Sequence, residues 1–151
     1  MTQASAPKAP ASLAIYLTFA GNCREALQFY ARELGGTLGT IHSHRDAPEG
    51  TGVPDSWLDK VLHGEVTIAD RVLMGSDAPP GAYQAPQGVF VQMHYDDLLK
   101  AEQVYNRLSD GGVTRMPFGP SFWAQGFGML TDRFGIGWII TSGFIEQEDW
   151  Q

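Results

Sequence analysis

The stretch that decides the fold is Ala26-Leu27-Gln28-Phe29-Tyr30, closed by Leu34-Gly35-Gly36, because a second copy of it follows half a chain later. The second copy is Ala101-Glu102-Gln103-Val104-Tyr105, with Leu108 and then Gly111-Gly112. In each copy the apolar residues recur at helical spacing, and the glycines end the helix. A pattern that repeats over half of the chain predicts two copies of one supersecondary unit.

Working outward, each copy predicts a strand, a helix and three further strands. Asn22 precedes the first helix and Glu25 follows three residues later, which predicts a capping box. A second matched pair, Asp70-Arg71 and Asp132-Arg133, predicts equivalent turns, with a local ion pair at the latter. In the first copy the predicted strands are 13–19, 37–44, 61–69 and 72–76, and the helix starts at Asn22. In the second copy the predicted strands are 88–93, 113–118, 126–131 and 138–142, and the helix starts at Asp96 or Asp97.

These patterns predict an α+β fold of two βαβββ modules. Neither module alone buries much core, so the two must pair. The predicted boundaries are a flexible tail (1–11), a first module (12–78) with a long loop at 46–57, a linker (79–87), a second module (88–144) and a tail (145–151). The linker and the loop are both rich in Pro and Gly, which is typical of connections rather than of strands.

Composition excludes several classes of function. The chain of 151 residues has 17 acidic and 10 basic side chains, a formal net charge of −7. With no basic stripe to neutralise phosphates, we expect neither nucleic acid nor an anionic membrane surface as a partner. The single cysteine, Cys23, excludes an internal disulfide. We expect a cytoplasmic protein, because such cysteine usage fits a reducing compartment and residues 1–10 lack the apolar core of a secretory signal.

At its motifs the chain resembles the vicinal-oxygen-chelate superfamily of glyoxalases, bleomycin-resistance proteins and extradiol dioxygenases. Within that superfamily it is similar to the PhnB-like group, which is often labelled demethylubiquinone-methyltransferase-like. The resemblance implies sheets curled into a cup-shaped β-sheet around a small-molecule pocket, helices on the outer face, and a homodimer. It implies no methyl transfer. The motifs that carry the resemblance are Phe19-Ala20-Gly21-Asn22-Cys23-Arg24-Glu25-Ala26, Phe29-Tyr30, His63-Gly64-Glu65, Leu73-Met74-Gly75-Ser76-Asp77, Phe122-Trp123 and Leu130-Thr131-Asp132-Arg133-Phe134-Gly135-Ile136-Gly137-Trp138.

The resemblance also implies where a metal would sit, on the first and last strands of each module. The matching positions are Ile15, Met74, Val91 and Ile140, and a shift of one residue gives Tyr16, Leu73, Gln92 and Thr141. None of these side chains is a good ligand for a divalent cation. We therefore expect no metal at the usual place and no cofactor.

His63 and Glu65 are the candidate catalytic residues. They stand two apart on a predicted strand, so both point to one face, together with Thr67. A carboxylate beside an imidazole supports proton abstraction from an acidic carbon. The alternative is a structural polar pair. A further alternative is a non-standard metal site, if His42 and His44 converge with this pair.

Other side chains are predicted to line the cup and bind a small molecule. Leu17 and Phe19 follow Ile15 at alternate positions of the first strand, so they would point to the same face as Ile15 and line the cup. The remaining candidates are Thr67, Met74, Val91, Met93 and Trp123. We expect Cys23 to be a half-buried, unreactive thiol, His94 to be structural, and Trp138 to pack in the core.

The sequence thus predicts a protein that binds a small molecule in an apolar cup without the usual metal. One alternative is a metal-dependent lyase, isomerase or dioxygenase that uses His63 and Glu65. The other is a non-enzymatic dimeric module with a resistance, sequestering or structural role. The sequence leaves open whether one chain or two would close the cup.

Overall fold

The computed structural model of the chain describes residues 5–145, so the predicted tails at 1–11 and 145–151 lie partly outside the described residues. The first module is built from five elements joined by short turns, apart from one long loop. The predicted loop contains two short 3₁₀ turns, His44–Asp46 and Asp55–Trp57. The elements are β1 (Ile15–Phe19), α1 (Cys23–Glu33), β2 (Thr37–Ser43), β3 (Val61–Ile68) and β4 (Arg71–Asp77).

The second module repeats the same order of elements. They are β5 (Val91–Tyr95), α2 (Leu98–Ser109), β6 (Val113–Gly119), β7 (Ala124–Thr131) and β8 (Gly137–Phe144). The strand orders are also equivalent, β1-β4-β3-β2 in the first sheet and β5-β8-β7-β6 in the second. In each sheet the first strand pairs in parallel with the last, and the other pairs are antiparallel. The predicted α+β fold of two βαβββ modules is confirmed.

Each helix covers one face of its own sheet. The apolar stripe of α1 buries Ala26, Leu27 and Tyr30, and the stripe of α2 buries Val104 and Leu108. These side chains belong to one hydrophobic core that spans both modules. Trp138 lies in that core and is fully buried, as predicted. The opposite face of each sheet carries no helix, and we call it the open face.

The modules are joined through a buried carboxylate, Asp132, in the β7–β8 turn. Its Oδ2 accepts hydrogen bonds from the Tyr30 hydroxyl at 2.5 Å and from Trp138 Nε1 at 2.8 Å. Its Oδ1 accepts the backbone N–H groups of Phe134 and Ile136. The predicted ion pair of Asp132 with its neighbour Arg133 is wrong, because these four donors already satisfy the carboxylate.

Arg133 reaches across to the first module instead. Its guanidinium lies 4.3 Å from the ring centroid of Phe29 and 4.5 Å from that of Phe134. It is also 3.6 Å from the Glu25 carboxylate. A cation over two aromatic faces is a favourable arrangement, so the turn contributes to the contact between modules.

The predicted capping box at α1 is also wrong. The Asn22 side chain makes no capping hydrogen bond. The helix start is held by Asp77, at the end of β4, whose Oδ1 accepts the N–H groups of Gly21 and Cys23, while Oδ2 accepts that of Val61. A long-range carboxylate thus replaces the local cap. At α2 the local prediction holds, because the Asp97 side chain accepts the N–H groups of Leu99 and Lys100.

Neither α1 nor α2 has the length and apolar character that crossing a membrane requires, and the described residues contain no other α-helix.

Candidate functional site

The side chains of β1 point to the opposite faces of the sheet from those predicted. Leu17 and Phe19 are buried in the core. Phe19 packs beside Cys23 of α1, because a Cβ at Gly75 would meet the side chains of both. Their placement in the predicted cup is therefore wrong. The physical reason is that the more apolar set of alternating side chains is drawn under the helix, which leaves Tyr16 on the open face.

The open face of the first sheet brings three polar side chains together. Tyr16 Oη lies 3.3 Å from His63 Nδ1, and the two rings are 5.7 Å apart. On the other side, His63 Nε2 lies 3.8 Å from Glu65 Oε2. The side chains of His63 and Glu65 are 39% and 42% exposed. An imidazole between a phenol and a carboxylate, open to solvent, has the parts of a proton-transfer site.

Tyr16 is a candidate site residue that sequence reasoning treated only as a one-residue alternative to Ile15. The signal that identifies it is the register of the sheet. Tyr16 pairs with Met74, and Met74 pairs with Glu65. The side chains of Tyr16, Met74 and Glu65 therefore lie side by side across one face of the sheet, with Met74 on the middle strand of the three. Thr67, two residues beyond Glu65 on β3, is exposed.

His42 and His44 do not complete a metal site. His42 lies opposite His63 in the β2–β3 ladder and is exposed. His44 is buried under the loop, where its Nδ1 lies 2.7 Å from Thr51 Oγ1. Within residues 5–145 no group of three or more His, Cys, Asp or Glu side chains is arranged to hold a metal ion.

The open face of the second sheet carries an oriented histidine. His94 Nδ1 lies 2.9 Å from Thr141 Oγ1, and the imidazole stacks on Phe144 at 4.1 Å with an angle of 18° between planes. Gln92 Nε2 donates to the same Thr141 oxygen at 3.4 Å. Trp123 is half-buried against Phe127, with ring centroids 5.1 Å apart. His94 is thus held by two contacts, and within residues 5–145 no hydrogen bond to its Nε2 is found.

Between the modules lies a cavity of about 610 Å³, which we call the inter-module cavity. It is bordered by the edge strands β1 and β5, each of which pairs with only one neighbour in its sheet. Its walls are mainly apolar, with Arg71, Gln92 and His94 as the principal polar side chains. The lining residues are Leu13, Ala14, Ile15, Leu34, Ile68, Ala69, Arg71, Val72, Leu73, Val91, Gln92, Met93, His94, Tyr95 and Trp138.

Of the predicted binding residues, only Val91 and Met93 border this cavity. Met74, Thr67, Trp123, His63 and Glu65 do not border it. The structure therefore separates the predicted acid–base pair from the main apolar cavity. The sequence analysis placed the acid–base pair and the apolar side chains in one pocket. Alternation along a strand predicts which side chains share a face of a sheet, but it does not predict which sheet edges lie next to each other.

The positions at which the superfamily would hold a metal are likewise divided. Ile140 is fully buried in the core, and Ile15 and Val91 border the inter-module cavity, which Met74 does not border. The matching open-face residues are Tyr16, Met74, Gln92 and Thr141. A phenol, a thioether, an amide and a hydroxyl do not fit a divalent cation that prefers imidazole and carboxylate ligands.

Cys23 differs in burial from the expected half-buried thiol, since it is fully buried. Burial, together with the nearby Asp77 charge and partly offset by Arg24, raises the pKa of the Cys23 thiol to about 12. The thiolate is the reactive form, so Cys23 is held in its unreactive, protonated form at neutral pH.

Comparison with known proteins supports a family assignment. The family model described as 3-demethylubiquinone-9 3-methyltransferase matches residues 11–141. Protein YjdN of Escherichia coli K12 is 32% identical over 139 residues, which cover 85% of this chain and 92% of YjdN. The chain therefore belongs to this PhnB-like family, within the vicinal-oxygen-chelate fold that its motifs resemble.

Solved structures agree with this assignment. Protein PA1353 of Pseudomonas aeruginosa matches with a TM-score of 0.78 and 41% identity, over 87% of this chain and 98% of that chain. A PhnB protein of Bacillus cereus matches with a TM-score of 0.71 and 20% identity, over the same shares. Structures of fosfomycin-resistance and glyoxalase/bleomycin-resistance proteins match at 10% and 8% identity, which shows the fold alone.

Proposed function

We propose that this protein binds a small, largely apolar molecule in the inter-module cavity, without a divalent metal. The observation that carries the proposal is the cavity itself. Its volume of about 610 Å³ lies within the range typical of small-molecule sites, roughly 300–1,000 Å³. Apolar side chains from both modules form its walls, and a few polar side chains border it, which is the usual composition of such sites.

A neutral fluorescent probe tests this proposal. N-phenyl-1-naphthylamine brightens on entering an apolar site, and we expect saturable binding with one probe per chain. Val91→Trp fills the cavity from β5 and should abolish the signal. Val113→Trp, on exposed edge strand β6 of the same sheet, is the matched control and should leave it unchanged.

Ile15→Trp gives an independent check from the opposite wall, because Ile15 is partly exposed and tolerates a larger side chain. Circular dichroism verifies the fold of each variant. Probe binding that survives both Val91→Trp and Ile15→Trp in folded protein would place the ligand elsewhere and overturn the proposal.

A second candidate function is proton transfer at the open face of the first sheet, with His63 as base and Glu65 and Tyr16 as its partners. The observation that favours it is the position of His63 between a phenol at 3.3 Å and a carboxylate at 3.8 Å. A base held in this way could remove a proton from a carbon acidified by a neighbouring carbonyl.

Deuterium exchange tests this second candidate. In D₂O we expect methylglyoxal and pyruvate analogues with acidic C–H bonds to exchange faster in the presence of the protein. His63→Gln should reduce that catalysed rate by about 100-fold, which is the lower range for loss of a general base. His42→Gln, on the adjacent strand, is the control. Exchange that is equal in the wild type and His63→Gln would assign a structural role to the pair.

We also propose that the protein is a cytoplasmic homodimer. The open faces carry aromatic side chains in contact with solvent, with Tyr16 50% and Phe144 54% exposed. Burying such surfaces against a second copy would stabilise both. Light scattering coupled to size exclusion should give a mass of about twice 16.5 kDa, and Tyr16→Glu with Phe144→Glu should give the monomer. A monomeric wild type at 100 µM would contradict this.

A further inference from the structure

The titratable groups that border the inter-module cavity have an unusual composition. The chain carries 17 acidic side chains and a net charge of −7, yet among residues 5–145 no Asp or Glu borders the cavity. The basic and neutral polar side chains Arg71, Gln92 and His94 border it instead. In a chain this acidic, a cavity whose described lining has an arginine and no carboxylate is a local reversal of the overall charge.

Arg71 differs from most other arginines in its contacts. Arg32, Arg45, Arg107 and Arg133 are each paired with a carboxylate. Within residues 5–145, the Arg71 side chain has no ion pair and no hydrogen bond to another side chain. It begins β4 directly after the tight turn at Ala69 and Asp70, both of which have positive φ. The hairpin therefore presents the guanidinium at the cavity while its own charge is left for another partner.

Strand β5 also borders the cavity and carries polar side chains there. His94 is held by Thr141 through Nδ1 and by stacking on Phe144, and no hydrogen bond of its Nε2 is found within residues 5–145. Gln92 stands two residues before it on the same strand and donates to Thr141 through Nε2. An anionic oxygen bound in the cavity would pair with the Arg71 guanidinium, and Gln92 and His94 add polar side chains from the other module.

We propose that the ligand of the inter-module cavity is an amphiphilic anion: an apolar body among Ile15, Val72, Val91 and Met93, with an anionic oxygen head at Arg71. This inference rests on the proposed function and adds the chemical class of the ligand. Arg71 is the specificity-determining residue, because a guanidinium binds carboxylate or phosphate oxygens through two parallel hydrogen bonds. The apolar walls supply affinity that does not depend on charge.

The test uses three probes with the same chain and different heads. Octanoate, 1-octanol and octylammonium compete with N-phenyl-1-naphthylamine for the full-length protein. We expect octanoate to displace the dye at about tenfold lower concentration than 1-octanol, and octylammonium to be the weakest competitor, since one charge-assisted contact contributes about a factor of ten. The advantage of octanoate should shrink as salt is raised, because the contact is partly exposed to solvent.

Arg71→Gln should remove the advantage of octanoate and leave 1-octanol within twofold of the wild type. Arg24→Gln is the matched control: Arg24 is exposed, also has no carboxylate partner within residues 5–145, and does not border this cavity. If the dye binds but octanoate and 1-octanol compete equally, or if Arg71→Gln weakens both alike, the anionic head is refuted while the cavity stands. If the dye itself does not bind, the proposed function fails first.

Discussion

At the scale of single residues, two buried aspartates at different places in the modules have different tasks. Asp77 ends β4 and holds the start of α1 and the start of β3 through three backbone N–H groups. Asp132 ends the β7 segment and binds donors from both modules. Each satisfies buried donors that would otherwise be left unpaired at considerable cost.

Cys23 gives the prediction that belongs to this scale. Because burial and Asp77 raise its pKa from 9.0 to about 12 in the folded protein, the folded state retains the proton that the unfolded state loses. This contribution to stability is present below pH 9 and is lost as the pH rises from 9 towards 12. Urea unfolding between pH 8 and 11 should show a steeper loss for the wild type than for Cys23→Ala.

The same thiol should resist iodoacetamide at pH 8 in the folded protein and react once the protein is unfolded in urea. Rapid alkylation of the native protein under these conditions would contradict the burial of Cys23.

At the scale of elements, the repeated glycine pairs explain how each helix is joined to its second strand. A Cβ at Gly36 would lie 2.8 Å from the carbonyl oxygen of Thr67, and a Cβ at Gly112 would meet that of Thr131. Thr67 and Thr131 are at equivalent places on β3 and β7. The second glycine of each pair is therefore required because the chain passes directly against a neighbouring backbone.

Gly112→Ala should accordingly destabilise the protein by about 2–3 kcal/mol, since the new methyl group meets backbone atoms that cannot move aside easily. Gly119→Ala is the control. A Cβ there has nothing within 4 Å, and its cost should be within about 0.5 kcal/mol. Urea denaturation curves of both variants measure the difference, and equal midpoints would show that the close approach carries no strain.

At the scale of the whole molecule, the two modules share one core although their sheets are not joined by hydrogen bonds within the described residues. The contact depends on Tyr30, whose ring meets Trp138 at 5.2 Å and whose hydroxyl bonds to Asp132. Arg107 of α2 and Glu33 of α1 add an exposed ion pair at 3.1 Å, which contributes little.

Tyr30→Phe therefore tests the coupling of the modules. It removes one donor from a buried carboxylate, so we expect a loss of about 2 kcal/mol in the free energy of unfolding. It should also weaken binding of N-phenyl-1-naphthylamine, because the walls of the cavity come from both modules. Tyr95→Phe is the control for stability alone, since its hydroxyl has only a weak contact with the Met93 sulfur at 3.9 Å, while the residue itself borders the cavity. Unchanged stability in Tyr30→Phe would show that the Asp132 cluster does not couple the modules.

The sequence alone predicted the two modules and their order of elements, because helical periodicity, the glycines that end the helices and the repeat can be read directly from the chain. Its motifs carried the resemblance to the family. It also placed His63 and Glu65 on one face, since alternation along a strand is a local property. It misplaced Leu17 and Phe19, because a one-residue change of parity exchanges the two faces of a strand and only packing under α1 selects between them.

Only the tertiary structure decided that Tyr16 joins His63, that Asp132 binds Tyr30 from the other module, and that Arg71 and His94 border one cavity. The first two of these contacts join residues 47 and 102 positions apart in the chain. Their partners are chosen by the register of strands and by the packing of a shared core. No local pattern encodes that choice, because it depends on which buried groups remain unsatisfied once the whole chain has folded.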